Sequence, residues 1–256
     1  MPDRSEPCLL LPEWEAPDRV FAAVTTRHGG VSQGPWTSFN QGLHVGDEPD
    51  HVATNRALLL ERLPHSVTFQ RLNQVHGNRV VEADGQDVIP DADAVFTRQP
   101  GIVCGVSTAD CLPVMFASSR GDVVGIAHAG WRGLAAGVVE NCFRAMQLDP
   151  AFCLVWLGPA IGPCHFEVGS EVREQFLQQA APDLQHETEH SFVATANSGK
   201  YMADLYQLAR IRLRALGVSR IRGGGYCSYC ESERFFSFRR QAITGRMQSL
   251  IYLKPD

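Results

Sequence analysis

The sequence predicts an α/β fold, a layered α/β sandwich with mixed central sheets and helices packed outside them. Short apolar runs separated by turn residues follow one another from residue 67 to residue 126, which is typical of neighbouring strands. Amphipathic segments suited to helices lie before and after this region. Strands outnumber the linking helices, so a regular doubly wound sheet does not fit. No linker or low-complexity tract interrupts the chain, and we expect one domain over residues 1–256.

The predicted elements follow in chain order. A strand over residues 20–25 (VFAAVT) leads into a glycine-rich loop, and residues 50–63 have helical spacing with Asp50 as the cap. Six further strands are predicted from the runs SVTF, NRVVEA, DAVFT, GIVCGVS, LPVMFAS and DVVGIA. Helices are expected over residues 133–146, 169–179 and 201–216, and strands over residues 153–157, 219–222 and 249–253.

Composition narrows the classes of partner. The chain carries 28 acidic and 23 basic residues, a formal net charge of -5, and no run of Lys or Arg, which argues against nucleic-acid and membrane-surface partners. An anionic small molecule remains compatible, because a few arginines can hold a phosphate inside an acidic protein. No segment approaches the roughly 20 apolar residues that cross a bilayer. The first residues do not resemble a signal peptide, so we expect a cytoplasmic protein.

Three short stretches each hold a residue that zinc can bind. His76 lies in RLNQVHG, Cys111 in STADCLPV and His128 in AHAGWRG, and each stands at the start or end of an apolar run. Residues at strand ends can converge on one point, and one thiolate with two imidazoles suits zinc while leaving a fourth position open. Ligands spread over ~50 residues give no local spacing signature, so ordinary buried residues remain the alternative.

The small residues around His128 suggest a function of their own. Ala127, Ala129 and Gly130 are expected to leave room for a bound molecule beside the ion. The following Trp131, with Arg132 and Gly133, is expected to turn the chain into the next helix.

The remaining cysteines are expected to be buried thiols or metal ligands rather than disulfides. Cys227 and Cys230 form a C-x-x-C pair, for which a redox or zinc-knuckle role is conceivable. The chain has no second C-x-x-C, so a purely structural role is favoured. Cys164 lies in a glycine- and proline-rich turn that is expected to line a pocket, and the role of the adjacent His165 is open.

The chain resembles the YfiH-like or laccase-domain family, also called multicopper polyphenol oxidases and now described as purine nucleoside phosphorylases. The matching stretches run from about residue 25 to residue 247 and include TTRHGGVSQGPW, LNQVHGNRV, STADCLPV, AHAGWRG, GPAIGPCHFEVG, YCSYCESERFFSFRR and TGRM. The resemblance implies a catalytic zinc held by His76, Cys111 and His128. It also implies a fold similar to the catalytic domain of cytotoxic necrotising factor.

The resemblance further implies phosphorolysis of adenosine, inosine, guanosine and methylthioadenosine, and deamination of adenosine. Zinc supports deamination by lowering the pKa of bound water to about 7, and Asp110 is the expected proton carrier. Arginine binds phosphate bidentately, so Arg27, in a loop of small residues, is the first candidate for phosphate binding and Arg239 the second. Asn40 is expected to hold a ribose hydroxyl or a base edge. A purely structural role remains the alternative for Asp110 and for both arginines.

Two other functions compete with this one. A copper-dependent polyphenol oxidase is disfavoured because multicopper sites use many histidines in H-x-H pairs, and this chain has nine histidines and no H-x-H. Some bacterial relatives are named peptidoglycan editing factors, so the protein could act on or bind nucleotide-linked cell-wall precursors. For the leading function we expect zinc rather than copper, a nucleoside and phosphate as small-molecule partners, and a monomer or homodimer.

Overall fold

Two stacked sheets form the centre of the protein in a computed structural model that describes residues 9–86 and 88–255. Cys8 lies outside the described residues. The described strands are β1 (Leu9–Leu10), β2 (Val20–Thr25), β3 (Thr68–Gln70), β4 (Val80–Glu82), β5 (Ala94–Thr97), β6 (Ile102–Thr108), β7 (Leu112–Ser118), β8 (Val124–Ala129), β9 (Cys153–Leu157), β10 (Glu167–Gly169), β11 (Phe192–Ala194), β12 (Lys200–Ala203), β13 (Arg220–Gly223) and β14 (Met247–Leu253). The described helices are α1 (Pro49–Arg62), α2 (Trp131–Ala135), α3 (Val138–Ala145), α4 (Ser170–Gln179), α5 (Gln185–His190) and α6 (Leu205–Ala215).

The two large sheets are both mixed, as the sequence predicts. The first has the strand order β1-β2-β14-β6-β3, in which β3 runs parallel to β6 and the other pairs are antiparallel. The second has the order β13-β9-β7-β8-β5-β4, with parallel pairs at its two edges and antiparallel pairs between them. A small sheet of β10, β12 and β11 stands beside them.

Alternating side chains along the central strands build the layers of the core. On β14, Leu250 and Tyr252 pack with Leu59 of α1, which covers the outer face of the five-stranded sheet. The neighbouring Ile251 points the other way and packs with Met115 of the six-stranded sheet. Because these strands are buried on both faces, their sequences read as continuous apolar runs rather than as alternating ones.

Helices cover the outer face of the six-stranded sheet. Phe116 of β7 packs in one cluster with Leu134 of α2, Val138 of α3 and Leu208 of α6. The order of layers is therefore helix, sheet, sheet, helices, which confirms the predicted layered α/β sandwich. Among the residues that the structure describes, no helix has the length and hydropathy of a membrane span.

Three predicted helices have different bounds from those expected. The helix predicted over residues 133–146 is two helices, because Gly137 adopts φ +88° between α2 and α3. The segment predicted as helix from residue 201 begins with strand β12, and α6 starts only after Asp204, whose side chain accepts a hydrogen bond from the N–H of Gln207. Asp50 is not the cap of α1, since the helix already begins at Pro49, which needs no partner for an N–H.

Candidate functional site

The register of the six-stranded sheet brings two of the three predicted metal ligands together. His128 lies on β8, and Cys111 comes directly before β7, the strand that pairs with β8 through Leu112 and Ala129. His76 arrives from the connection between β3 and β4. The ligand atoms of the three side chains all lie within 4.8 Å of one another, and Cys111 Sγ is 4.0 Å from His76 Nε2. The structure therefore assembles the predicted set.

Asp93 forms hydrogen bonds to both histidines of this cluster. It precedes β5, which pairs with β8, so the N–H of His128 donates to the carbonyl of Asp93 at 2.7 Å. The Asp93 carboxylate accepts a second bond, of 2.8 Å, from His128 Nδ1, which leaves Nε2 of the same ring for the cluster. A carboxylate behind an imidazole is the arrangement that fixes the tautomer and the ring orientation of metal-binding histidines.

The same carboxylate holds the loop that carries His76. Asp93 accepts hydrogen bonds from the backbone N–H groups of Val75 (3.2 Å), His76 (3.0 Å) and Gly77 (2.6 Å). His76 itself adopts φ +59°, a conformation that costs energy for a residue with a side chain and that the surrounding contacts must stabilise. One buried carboxylate thus positions both imidazoles of the cluster.

Electrostatics in the cluster favour the thiolate form of Cys111. Burial by itself raises the pKa of the Cys111 thiol, but the neighbouring His128 and His76 outweigh burial and lower this pKa to about 6. Burial lowers the pKa of His128, but Cys111 and Asp93 outweigh it and raise this pKa to about 9. Burial also raises the pKa of Asp93, and the hydrogen bonds from His128 and Gly77 outweigh it, so this pKa lies below its ordinary value. The thiolate is the form in which cysteine binds a metal.

The donor set fits a divalent metal ion of the zinc type. One thiolate and two imidazoles are ligands that zinc accepts, and a site with three protein ligands keeps one position for water or substrate. All three side chains line one cavity, and they differ in burial: His128 is only 3% exposed, Cys111 is half-buried and His76 is exposed. The cluster is therefore closed on the protein side and open on the cavity side.

The cavity next to this cluster has a volume of about 980 Å³, within the size range of small-molecule sites. His76, Cys111 and His128 all line it. Two acidic residues, Asp91 and Asp110, line the cavity as well. They are outnumbered by five arginines: Arg56, Arg71, Arg132, Arg239 and Arg246. The chain as a whole has a net charge of -5, so this excess of positive charge is local and suits an anionic ligand.

Two of the other predicted site residues also line the cavity. The carboxylate of Asp110 accepts hydrogen bonds from Ser228 Oγ (2.6 Å) and from the N–H of Arg239 (2.7 Å). Asp110 adopts φ +95°, which is unusual for a residue other than glycine and is typical of strained functional turns. The guanidinium of Arg239 donates to the carbonyls of His165 (3.1 Å) and Glu167 (3.0 Å), which fixes it at the cavity wall.

Arg27 and Asn40 do not line the cavity. The guanidinium of Arg27 donates to the carbonyls of Thr37 (3.0 Å) and Ser232 (2.8 Å) and lies over the ring of Phe236. These contacts correspond to the structural role that the sequence left open for Arg27. Asn40 is fully buried, and its side chain bonds backbone and side-chain groups of its own loop and the N–H of Arg246.

Arg246 and Asp93 were not among the predicted site residues. Arg246 directly precedes the last strand, lines the cavity, and donates to the carbonyls of Thr244 (3.1 Å) and Gly245 (3.0 Å). Its position in the TGRM stretch, directly before an apolar strand, was a usable signal, because a charged side chain beside a buried strand must have a polar partner or reach solvent. The proximity of Asp93 to His128 follows from the pairing of β5 with β8, which the sequence does not display.

The small residues around His128 have a different function from the predicted one. Ala127 and Ala129 are fully buried in the core and do not reach the cavity. A Cβ at Gly130 would lie 2.9 Å from Cys111 Sγ and 3.3 Å from the ring of His76. Gly130 therefore makes room for the ligands themselves rather than for a bound substrate.

Comparison with known proteins identifies the family and the fold. A model of the family described as "Multi-copper polyphenol oxidoreductase laccase" matches residues 21–254. The chain belongs to this family. Crystal structures of a Neisseria meningitidis protein (TM-score 0.90, 43% identity, 97% of this chain and 100% of that one) and of a Bacillus licheniformis protein, YfiH (TM-score 0.88, 32% identity, 98% of each chain), have the same fold.

Curated relatives cover nearly the whole chain. A protein of Pseudomonas aeruginosa named purine nucleoside phosphorylase is 51% identical over 245 residues, which are 96% of this chain and 98% of the relative. Purine nucleoside phosphorylase YfiH of Escherichia coli is 48% identical over 252 residues, again 96% and 98%. These findings confirm the resemblance on which the sequence analysis relied.

Proposed function

We propose that this protein is a zinc-dependent purine nucleoside phosphorylase that also deaminates adenosine. The observation that carries the proposal is the placement of His76, Cys111 and His128 in the wall of a cavity rich in arginine. The names of relatives that are about half identical over nearly the whole chain support it. When bound to these three residues, zinc supplies a Lewis acid that activates water and polarises substrate atoms.

The cavity arginines would hold the phosphate that attacks the ribose. Arg239 and Arg246 each anchor their guanidinium on two backbone carbonyls, so little side-chain freedom is left to lose when an anion binds. A guanidinium presents planar N–H donors that match phosphate oxygens in pairs. Phosphate held beside the sugar allows nucleoside and phosphate to give free base and ribose 1-phosphate.

Aromatic side chains of the cavity would hold the purine. Phe238 lines the cavity and is 54% exposed, although a large apolar ring is normally buried in a soluble protein. A purine stacked on this ring would cover it. The proposed task of Asp110 is to transfer a proton to or from the substrate, and its bonds to Ser228 and Arg239 keep the carboxylate at a fixed point next to Cys111.

The test is a nucleoside screen with product identification on zinc-loaded protein. Adenosine, inosine, guanosine and methylthioadenosine are each incubated with and without phosphate. We expect free base and ribose 1-phosphate only with phosphate, and inosine and ammonia from adenosine without it. Oxygen consumption with phenols would instead support a copper oxidase, and turnover confined to nucleotide-linked cell-wall precursors would support an editing enzyme.

Single alanine substitutions of His76, Cys111 and His128 test the role of the metal cluster. Each is expected to lower both activities by at least about a hundredfold, the scale of effect seen when a group that stabilises the transition state is removed. His186→Ala is the matched control, because this exposed histidine lies on α5 and does not line the cavity. Full turnover in all three cluster variants would remove the metal mechanism.

A further inference from the structure

A second group of metal-binding side chains lies outside the cavity. Cys227 and Cys230 follow β13, and Cys164 and His165 belong to the connection between β9 and β10. The four ligand atoms all lie within 4.8 Å of one another, and none of the four residues lines the cavity described above. The lack of a second C-x-x-C in the sequence argued against a metal role for Cys227 and Cys230. In the fold, Cys164 and His165 supply the two missing partners.

The distances inside this group are close to those of a tetrahedral metal site. Cys164 Sγ lies 3.5 Å from Cys230 Sγ, and His165 Nδ1 lies 3.1 Å from Cys164 Sγ and 3.3 Å from Cys230 Sγ. Zinc bonds of about 2.3 Å to sulfur and about 2.0–2.1 Å to nitrogen give ligand-to-ligand edges of roughly 3.6–3.8 Å. The side chains would need to separate by only about 0.3–0.5 Å to admit the ion.

The backbone around the four residues is arranged for a thiolate cluster. Cys227 Sγ accepts hydrogen bonds from the N–H groups of Gly162 (3.2 Å) and Cys230 (3.4 Å), so this sulfur is used as an acceptor. A Cβ at Gly162 would lie 3.1 Å from the same sulfur, and glycine there permits the close approach. The ring of His165 stacks on Tyr229 at a centroid distance of 3.9 Å, which holds Nδ1 towards the sulfurs.

We propose that Cys164, His165, Cys227 and Cys230 bind a second zinc ion in a closed structural site. Three thiolates and one imidazole form one of the standard sets for structural zinc, in which four protein ligands leave no position for substrate. This set differs from the three-ligand cluster of His76, Cys111 and His128, and it needs no redox step.

The second site supports one wall of the cavity. Ser228, inside the C-x-x-C turn, donates to Asp110 at 2.6 Å. On the other segment, the carbonyl of His165 accepts from the guanidinium of Arg239 at 3.1 Å. An ion held by both segments therefore fixes two surface connections against each other, and with them the positions of Asp110 and Arg239.

The zinc content of the full chain tests the proposal without an activity assay. The protein is stripped of metal under reducing conditions, reloaded with zinc and desalted before the measurement. We expect about two zinc ions per chain in the parent and about one in each of Cys111→Ser, Cys230→Ser and His165→Phe. The double variant Cys111→Ser/Cys230→Ser should hold none. Cys142→Ala, which removes a buried thiol of neither group, should keep about two.

His165→Phe keeps the stacking on Tyr229 and so reports on the site even if Cys230→Ser does not fold. Cobalt(II) gives a second readout, because Cys111→Ser should retain the strong thiolate-to-metal absorption of a three-sulfur site while Cys230→Ser should lose most of it. A parent that binds one zinc and loses it completely in Cys111→Ser would overturn the proposal. Iron in place of zinc, or a Cys164–Cys230 disulfide found by mass spectrometry in freshly isolated protein, would overturn it as well.

Discussion

Replacement of Asp93 by asparagine tests the claim that one carboxylate positions both imidazoles of the metal cluster. Its two oxygens accept four N–H groups, two on each oxygen: His128 Nδ1 and the N–H of His76 on one, and the N–H groups of Val75 and Gly77 on the other. Asparagine has almost the same shape but keeps only one acceptor oxygen. In either orientation of the amide, two N–H groups therefore face an NH₂ group.

The size of the effect follows from these contacts. Asp93 is fully buried, so water cannot replace the lost bonds. A hydrogen bond to a charged group contributes about 1.5–3 kcal/mol, so losing two should lower the free energy of unfolding of the metal-free protein by about 3–6 kcal/mol. Loss of the carboxylate behind a metal-binding histidine should weaken zinc binding by about 10–100-fold.

Two measurements check this prediction. Urea unfolding of the metal-free chain gives the change in stability, and competition with a chelating dye gives the affinity for zinc. Asp84→Asn is the matched control, because Asp84 is an exposed aspartate of the same connection that accepts one backbone N–H, from Gln86. A variant Asp93→Asn with parental zinc affinity and a stability within about 0.5 kcal/mol of the parent, the range of ordinary surface substitutions, would refute the reasoning.

Three further substitutions follow from the structure. Gly130→Ala places a Cβ 2.9 Å from Cys111 Sγ and should lower zinc affinity and turnover by about tenfold or more. The control Gly225→Ala, whose Cβ meets open space, should change neither. Equal zinc affinities of the two variants would contradict the packing argument. Tyr206→Phe removes the hydroxyl that accepts from the buried N–H of Ala160 at 2.8 Å, so urea unfolding should show a loss of about 1–3 kcal/mol, and no loss would mean that water replaces it. Arg246→Lys keeps the charge but loses the planar fork, so the KM for phosphate should rise about tenfold, and an unchanged KM would exclude Arg246 from phosphate binding.

Most strands were predictable because they are short apolar runs bounded by turn residues. Each of the six predicted apolar runs overlaps a strand, and the runs of β5, β6, β7 and β8 are apolar at most positions because these strands are buried on both faces. The helix bounds were less accurate because single residues decide them. Gly137 splits one predicted helix, and a strand that pairs with β10 replaces the start of another.

The site was predictable only through the resemblance. Spacing alone could not connect His76, Cys111 and His128, because their meeting depends on which strands pair and in what register. The phosphate-binding role of Arg27 was predicted from a loop of small residues around an arginine, and it stays a prediction. In the structure the guanidinium donates to the carbonyls of Thr37 in its own loop and of the distant Ser232. A sequence shows that an arginine lies in a loop, and only the fold shows what its five donors contact.

In the candidate metal cluster, two ligands are placed by paired strands and the third is placed by a loop. Cys111 and His128 are positioned by neighbouring strands of the central sheet, which are joined by their own backbone pairing. His76 stands on a loop that bonds to the carboxylate of Asp93 and, through Gln74, to Ser107 of β6, and it has a backbone conformation that costs energy. An ion bound to all three residues would therefore stabilise the His76 loop more than the strands. Metal removal should loosen that loop, and the edge of the cavity that it forms, long before it affects the core.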